Sequence, residues 1–140
     1  MDKLQAIGLV ALGGSLGAVL RYTLTGTVHR FVPYFAPQDK IADFLWTGTL
    51  FVNLLGCFCI GCLMSLVISR EYLSQNQTLF LITGLLGSLT TFSTFGYETM
   101  DLLTRQNLPG LAFLNVATNL LFGFTAVWLG HQLVRYFIGQ

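Results

Sequence analysis

Residues 84–96 read Gly84-Leu-Leu-Gly-Ser-Leu-Thr-Thr-Phe-Ser-Thr-Phe-Gly96, inside a stretch that carries no charge from Thr78 to Tyr97. About 20 mostly apolar residues are what an α-helix needs to cross a hydrocarbon core roughly 30 Å thick. Glycine and β-branched hydroxyl residues favour continuous helix poorly, and here they gather at mid-span. Water cannot satisfy a carbonyl released inside a bilayer, so a break near Gly87 to Phe92 has to line a cavity or bind a cation. The stretch therefore predicts a membrane helix interrupted at an ion site. Phe92 and Phe95 share a face wherever the backbone is helical, with the hydroxyls of Ser93 and Thr94 between them.

Working outward, four stretches reach spanning length. The first runs from Leu4 to Val28, interrupted only by Arg21, and the second from Phe44 to Ser69 without any charge. The third runs from Thr78 to Asp101 with Glu98 near its end, and the fourth from Pro109 to Arg135. The expectation is an all-α integral membrane protein, a single four-helix domain over residues 1–140 with its third helix broken mid-membrane. The apolar run Leu4 to Leu20 exceeds the roughly 7–15 residues of a signal-peptide core, so it is read as a retained helix. Pro33 and Pro37 mark the longest connection, His29 to Asp43, as a loop with at most a surface turn.

Composition narrows the functional classes. The chain is 54% hydrophobic and 9% charged, against about 25% charged in soluble domains. Its bases are scattered singly and form no stripe that could follow a phosphate backbone, which argues against nucleic acid as a partner. Cys57, Cys59 and Cys62 are read as packing residues, since Cys57 and Cys59 point to roughly opposite sides of a helix. No nucleophile–base pair, metal motif or phosphate loop can be assembled, and His29 and His131 fall at or near helix ends. An enzyme is not expected.

An excess of Lys and Arg on one side normally fixes orientation in a membrane. Here Lys3, Arg70 and Arg135 on one side face Arg30, Lys40 and Arg105 on the other, with Arg21 too deep to assign cleanly. A chain so balanced is free to insert both ways, which permits an antiparallel homodimer. Four packed helices leave little room for an aqueous path, so association with a second copy is the natural remedy. Gly13 and Gly17 form a small-xxx-small pair, and Gly48, Gly56 and Gly61 follow along the second span, all read as helix contacts.

Polar residues at membrane depth are costly and mark contacts or pathways. They comprise Thr49 and Asn53 in the second span, Asn115, Thr118, Asn119 and Thr125 in the fourth, and Ser88, Thr90, Thr91, Ser93 and Thr94 in the third. Interhelical hydrogen bonding is the plain alternative for each. The centres of the second and fourth spans lack the carboxylates on which proton-coupled export of cations depends, and the first supplies Arg21 instead. Arg21 attracts anions at a vestibule, or else merely snorkels or pairs with Glu98. A phenylalanine ring has a negative face but a positive edge. Two such edges, with an amide N–H from Asn53 and hydroxyl donors, would replace part of a small anion's hydration shell without a full charge that traps it.

Three blocks carry a resemblance: Gly13-Gly-Ser-Leu-Gly-Ala-Val-Leu-Arg-Tyr22, Gly48-Thr-Leu-Phe-Val-Asn-Leu-Leu-Gly56, and Gly84 through Phe95. Together they resemble the Fluc family of bacterial fluoride channels, also called CrcB-type, over nearly the whole chain. The resemblance implies an antiparallel, dual-topology homodimer in the bacterial plasma membrane, with two fluoride pores along its interface that export cytoplasmic fluoride passively. It also implies a central Na⁺ that is not transported, held by the main-chain carbonyls of Gly87 and Thr90. Phe92 and Phe95 match the family's pore phenylalanines, Asn53 its pore amide, Ser93 and Thr94 part of its polar track, and Arg21 its vestibule arginine. Asn119 and Thr125 match positions where the family places hydroxyl side chains. Asn119 departs from the more usual serine, and Asn115 stands where tyrosine is frequent. The alternatives are a small dimeric multidrug-type transporter, for which Glu98 would have to be the buried acid, and a nonconducting scaffold.

Overall fold

A computed structural model describes residues 2–70 and 73–138, without the side chains of residues 69 and 70, so the Arg70 charge counted above lies outside the described residues. Helix α1 covers Lys3–Phe35, a 3-10 turn covers Gln38–Phe44, and α2 covers Trp46–Arg70. The third span is composite. Helix α3 (Gln75–Thr78) passes into a π-helical segment (Leu79–Leu86) and then the short α4 (Gly87–Leu89), while α5 (Phe92–Thr104) resumes after a break. Helix α6 covers Pro109–Ile138. Four helical stretches of 30 to 33 residues are thereby long and apolar enough to cross a membrane.

Helix α1 outruns the expected end at Val28 and carries Pro33 inside it. The loop expectation fails there because Pro33 lies in the last turn, where a missing N–H breaks only one bond near the helix end. The Ala36 N–H closes that turn on the Val32 carbonyl at 2.9 Å. His29 Nε2 then meets the Leu45 carbonyl at 2.8 Å, which ties the end of α1 to the start of α2. At the start of the third span Ser74 and Gln77 cap each other reciprocally, so the helix begins at Gln75, three residues before the expected Thr78.

Helix packing follows the small residues. The face of α1 bearing Gly13 and Gly17 lies on the π-helical segment, so close that a Cβ on Gly17 would strike the Leu85 backbone. Helix α6 lies mainly on α2, with Gly61 against the Val127 carbonyl and Gly130 against the Phe58 carbonyl. Apolar burial is slight and local: Trp46 packs with Leu102 and Ala112, and Val52 with Leu86 and Leu89. Large apolar side chains such as Leu12, Phe113, Leu121 and Phe124 point outward instead. That distribution suits a hydrocarbon solvent, in which side-chain burial supplies little driving force and close backbone contact supplies more.

Candidate functional site

The break falls at Thr90 and Thr91, within the interval read from the sequence. Both residues are extended, with φ/ψ of −82°/156° and −150°/111°. The Thr90 N–H still reaches the Leu86 carbonyl at 3.2 Å. The Thr91 N–H does not continue the pattern back to Gly87; it donates to Asn53 Oδ1 at 2.8 Å. Asn53 Nδ2 reaches the Thr91 carbonyl at 3.4 Å, so one side chain of α2 spans both polar groups of the broken residue. The Thr91 hydroxyl begins α5 by accepting the Thr94 N–H at 3.3 Å. Gly56, one turn beyond Asn53 on α2, lets the helix come this near, since a Cβ there would collide with Thr90 Cγ2.

Asn53 is itself held from α6. Its Nδ2 donates to Asn119 Oδ1 at 3.1 Å. Asn119 Nδ2 donates to the Oδ1 and main-chain oxygen of Asn115 at 2.8 and 3.0 Å. Asn115, with no exposed surface, donates from Nδ2 to Thr99 Oγ1 at 3.0 Å. The Thr99 hydroxyl proton goes to the Phe95 carbonyl at 2.8 Å.

Around the break lies a cavity of about 420 Å³ whose lining includes Asn53, Thr90, Thr91, Phe92, Phe95 and Asn119. Gly87, Gly56 and Cys57 also border it, and none of its lining residues carries a charge. The rings of Phe92 and Phe95 sit 5.4 Å apart, tilted by 53°, and Phe92 is 82% exposed. Such a wall suits a small ion that must be held weakly enough to leave again.

Of the residues singled out from the sequence, Asn53, Gly87, Thr90, Phe92, Phe95 and Asn119 come together here. Thr94 and Ser93 lie beside the cavity rather than in its wall, within 2.9 and 3.3 Å of the Thr91 hydroxyl. Thr125 is exposed on α6 and bonds its own helix at the Leu121 carbonyl, and Arg21 is half-buried on α1, outside the lining. Glu98 accepts from Thr49 at 2.8 Å and not from Arg21; among the described residues the one ion pair joins Arg105 to Asp101. Sequence reasoning did not assign Thr91, Gly56 or Thr99 to the site. Only the clustering of Thr90 and Thr91 after Gly87 hinted at the first.

Residues 8–131 match a family model described as CrcB-like protein, Camphor Resistance (CrcB). The chain is 40% identical over 126 residues to a protein of Thermotoga maritima, covering 90% of this chain and 91% of that one. It is 40% identical over 135 residues to a protein of Clostridium perfringens strain 13, covering 96% and 98%. A Campylobacter fetus protein is 43% identical over 126 residues, covering 90% and 91%. Each of the three relatives is described as a fluoride-specific ion channel, FluC.

Proposed function

This chain belongs to the CrcB-like family, and on that premise we propose that it is a fluoride-selective channel through which cytoplasmic fluoride leaves the cell passively. The carrying observation is the pair Phe92 and Phe95, held 5.4 Å apart just past a break in a membrane helix and facing an uncharged cavity with Asn53 and Asn119. Fluoride enters cells as its neutral weak acid and dissociates inside, so a passive conduit for the anion is enough to lower its level. Positive ring edges and hydroxyls replace part of the hydration shell, and the lack of a fixed cation in the wall keeps the ion from being trapped. Arg21 raises the local anion concentration from a vestibule. Thr94, Ser93 and Thr125 extend the polar track outside the cavity.

The finer reading is an antiparallel homodimer with both orientations of the chain in a bacterial plasma membrane, and Phe92, bare on one subunit, turned toward the second copy. The balance of Lys and Arg supports the dual insertion. A structural Na⁺ fits the break. The Thr91 N–H is engaged by Asn53, which releases the Gly87 carbonyl from its helical partner, and Gly87 and Thr90 border the same cavity. Main-chain oxygens are the donors a hard cation takes. When bound, that ion would be held by the main-chain oxygens of Gly87 and Thr90 and would supply a fixed positive charge at the break; the protein's part is to present the oxygens.

Fluoride efflux from liposomes holding the purified protein, with valinomycin and a potassium gradient to relieve charge build-up, tests the reading. Fast fluoride loss with negligible chloride loss is expected, and much of it should vanish when an organic cation replaces Na⁺ throughout. Equal loss of both anions, or of neither from folded protein, removes the selective-channel assignment. Flux indifferent to Na⁺ removes the cation site alone.

A further inference from the structure

We propose that Asn53, Asn119, Asn115 and Thr99 form a directional clamp that fixes the turn carrying Phe92 and Phe95, with Asn115 and Thr99 as positioning residues remote from the cavity. The direction of this chain of bonds is forced at both ends. It begins at a main-chain N–H, that of Thr91, which can only donate, so Asn53 must turn its oxygen there and its nitrogen toward Asn119. It ends at main-chain oxygens, those of Asn115 and Phe95, which can only accept. Every amide between them has one orientation that satisfies its neighbours. The circuit leaves the third span at Thr91, crosses α2 and α6, and returns to the third span at Thr99 and Phe95. Thr91 and Phe95 bound the single turn from which both rings project.

Asn115 has no exposed surface and does not line the cavity, so contact with an ion does not account for it. Both nitrogens of the Asn53–Asn119 pair are engaged inside the protein. Asn53 then acts on the ion chiefly by holding Thr91 and, through it, the ring pair. The competing account is a buried polar cluster that merely glues helices together.

The flux arm of the test rests on the channel reading; the exchange arm does not. Thr99→Val keeps the shape of the side chain and removes the hydroxyl, whereas Thr99→Ser keeps the hydroxyl. In full-length reconstituted protein with an unchanged size-exclusion profile, Thr99→Val is expected to lower fluoride efflux by about tenfold or more, as loss of a supporting contact typically does. Thr99→Ser should stay near the parent. Asn115→Ala should match Thr99→Val, and combining it with Asn53→Ala should add no more than about twofold to the slower single variant. Hydrogen–deuterium exchange over residues 87–95 should quicken in Thr99→Val and Asn115→Ala but not in Thr99→Ser. Unchanged flux in Thr99→Val, multiplying effects in the double variant, or unchanged exchange at the break each overturn the clamp. If Asn115→Ala does not fold, the Thr99 pair decides by the same criteria. If the parent conducts no fluoride, the channel reading has failed and the exchange measurement alone decides the clamp.

Discussion

Phe92 and Phe95, the rings of the proposed anion pathway, are residues that a hydropathy reading treats as lipid-facing bulk. The property that separates a ring from an aliphatic side chain of similar size is its quadrupole, so isoleucine is the informative replacement. Phe92→Ile or Phe95→Ile is expected to lower fluoride efflux by about tenfold or more while size exclusion stays unchanged, the loss of one or two preorganised contacts being worth that much. Unchanged flux in both variants would remove the ring-edge role. At this scale the sequence was informative about identity and silent about partners. Asn53 was legible as a polar residue at membrane depth, but not as the side chain that holds Thr91, because that contact depends on which residue of the broken span falls opposite α2. Thr99 was illegible for the same reason: nothing in its neighbourhood in the chain sets it apart from threonines that bond only their own helix, such as Thr118 and Thr125.

Among the elements, the break was readable because composition marks it: Gly87, Thr90 and Thr91 each weaken a helix, and the interruption falls at the last two. The π-helical segment was not readable. It changes the hydrogen-bond register rather than the kind of residue, and Leu79–Leu86 is as apolar as an ordinary spanning helix. The length of α1 misled for the opposite reason, since Pro33 is a strong local signal that its position in the last turn weakens. Close approach of α1 to the π-helical segment gives a stability prediction. A methyl group on Gly17 would meet the Leu85 backbone, whereas one on Gly26 of the same helix would meet nothing within 4 Å. Gly17→Ala is expected to cost about 1–3 kcal/mol through overpacking, read as a drop of several degrees in melting temperature in detergent. Gly26→Ala should leave the melt unchanged or raise it slightly, because alanine is the better helix former. Equal melts for the two variants would mean that the contact is not made in the folded protein.

For the whole molecule, the four spans and their membrane solvent were plain from composition, while the proposed antiparallel pair is supported by charge balance and not by any observed contact. Adding two lysines to one end of the chain should lock a single orientation. Fluoride resistance in cells should then fall for that variant alone and return when it is co-expressed with a variant biased the other way. Undiminished resistance from one biased variant would rule out the antiparallel pair. The ring of amides through α2, α5 and α6 has a consequence for descent as well. Since its hydrogen bonds run one way between groups of fixed polarity, a lineage cannot exchange one asparagine for an apolar aromatic residue without stranding the next, and a hydroxyl, which accepts and donates as Thr99 does, serves only where its shorter reach still meets both neighbours. Positions 99, 115 and 119 should therefore drift as a set: relatives with serine at 119 will have changed 115 too, and chimaeras that mix the two solutions will inherit neither.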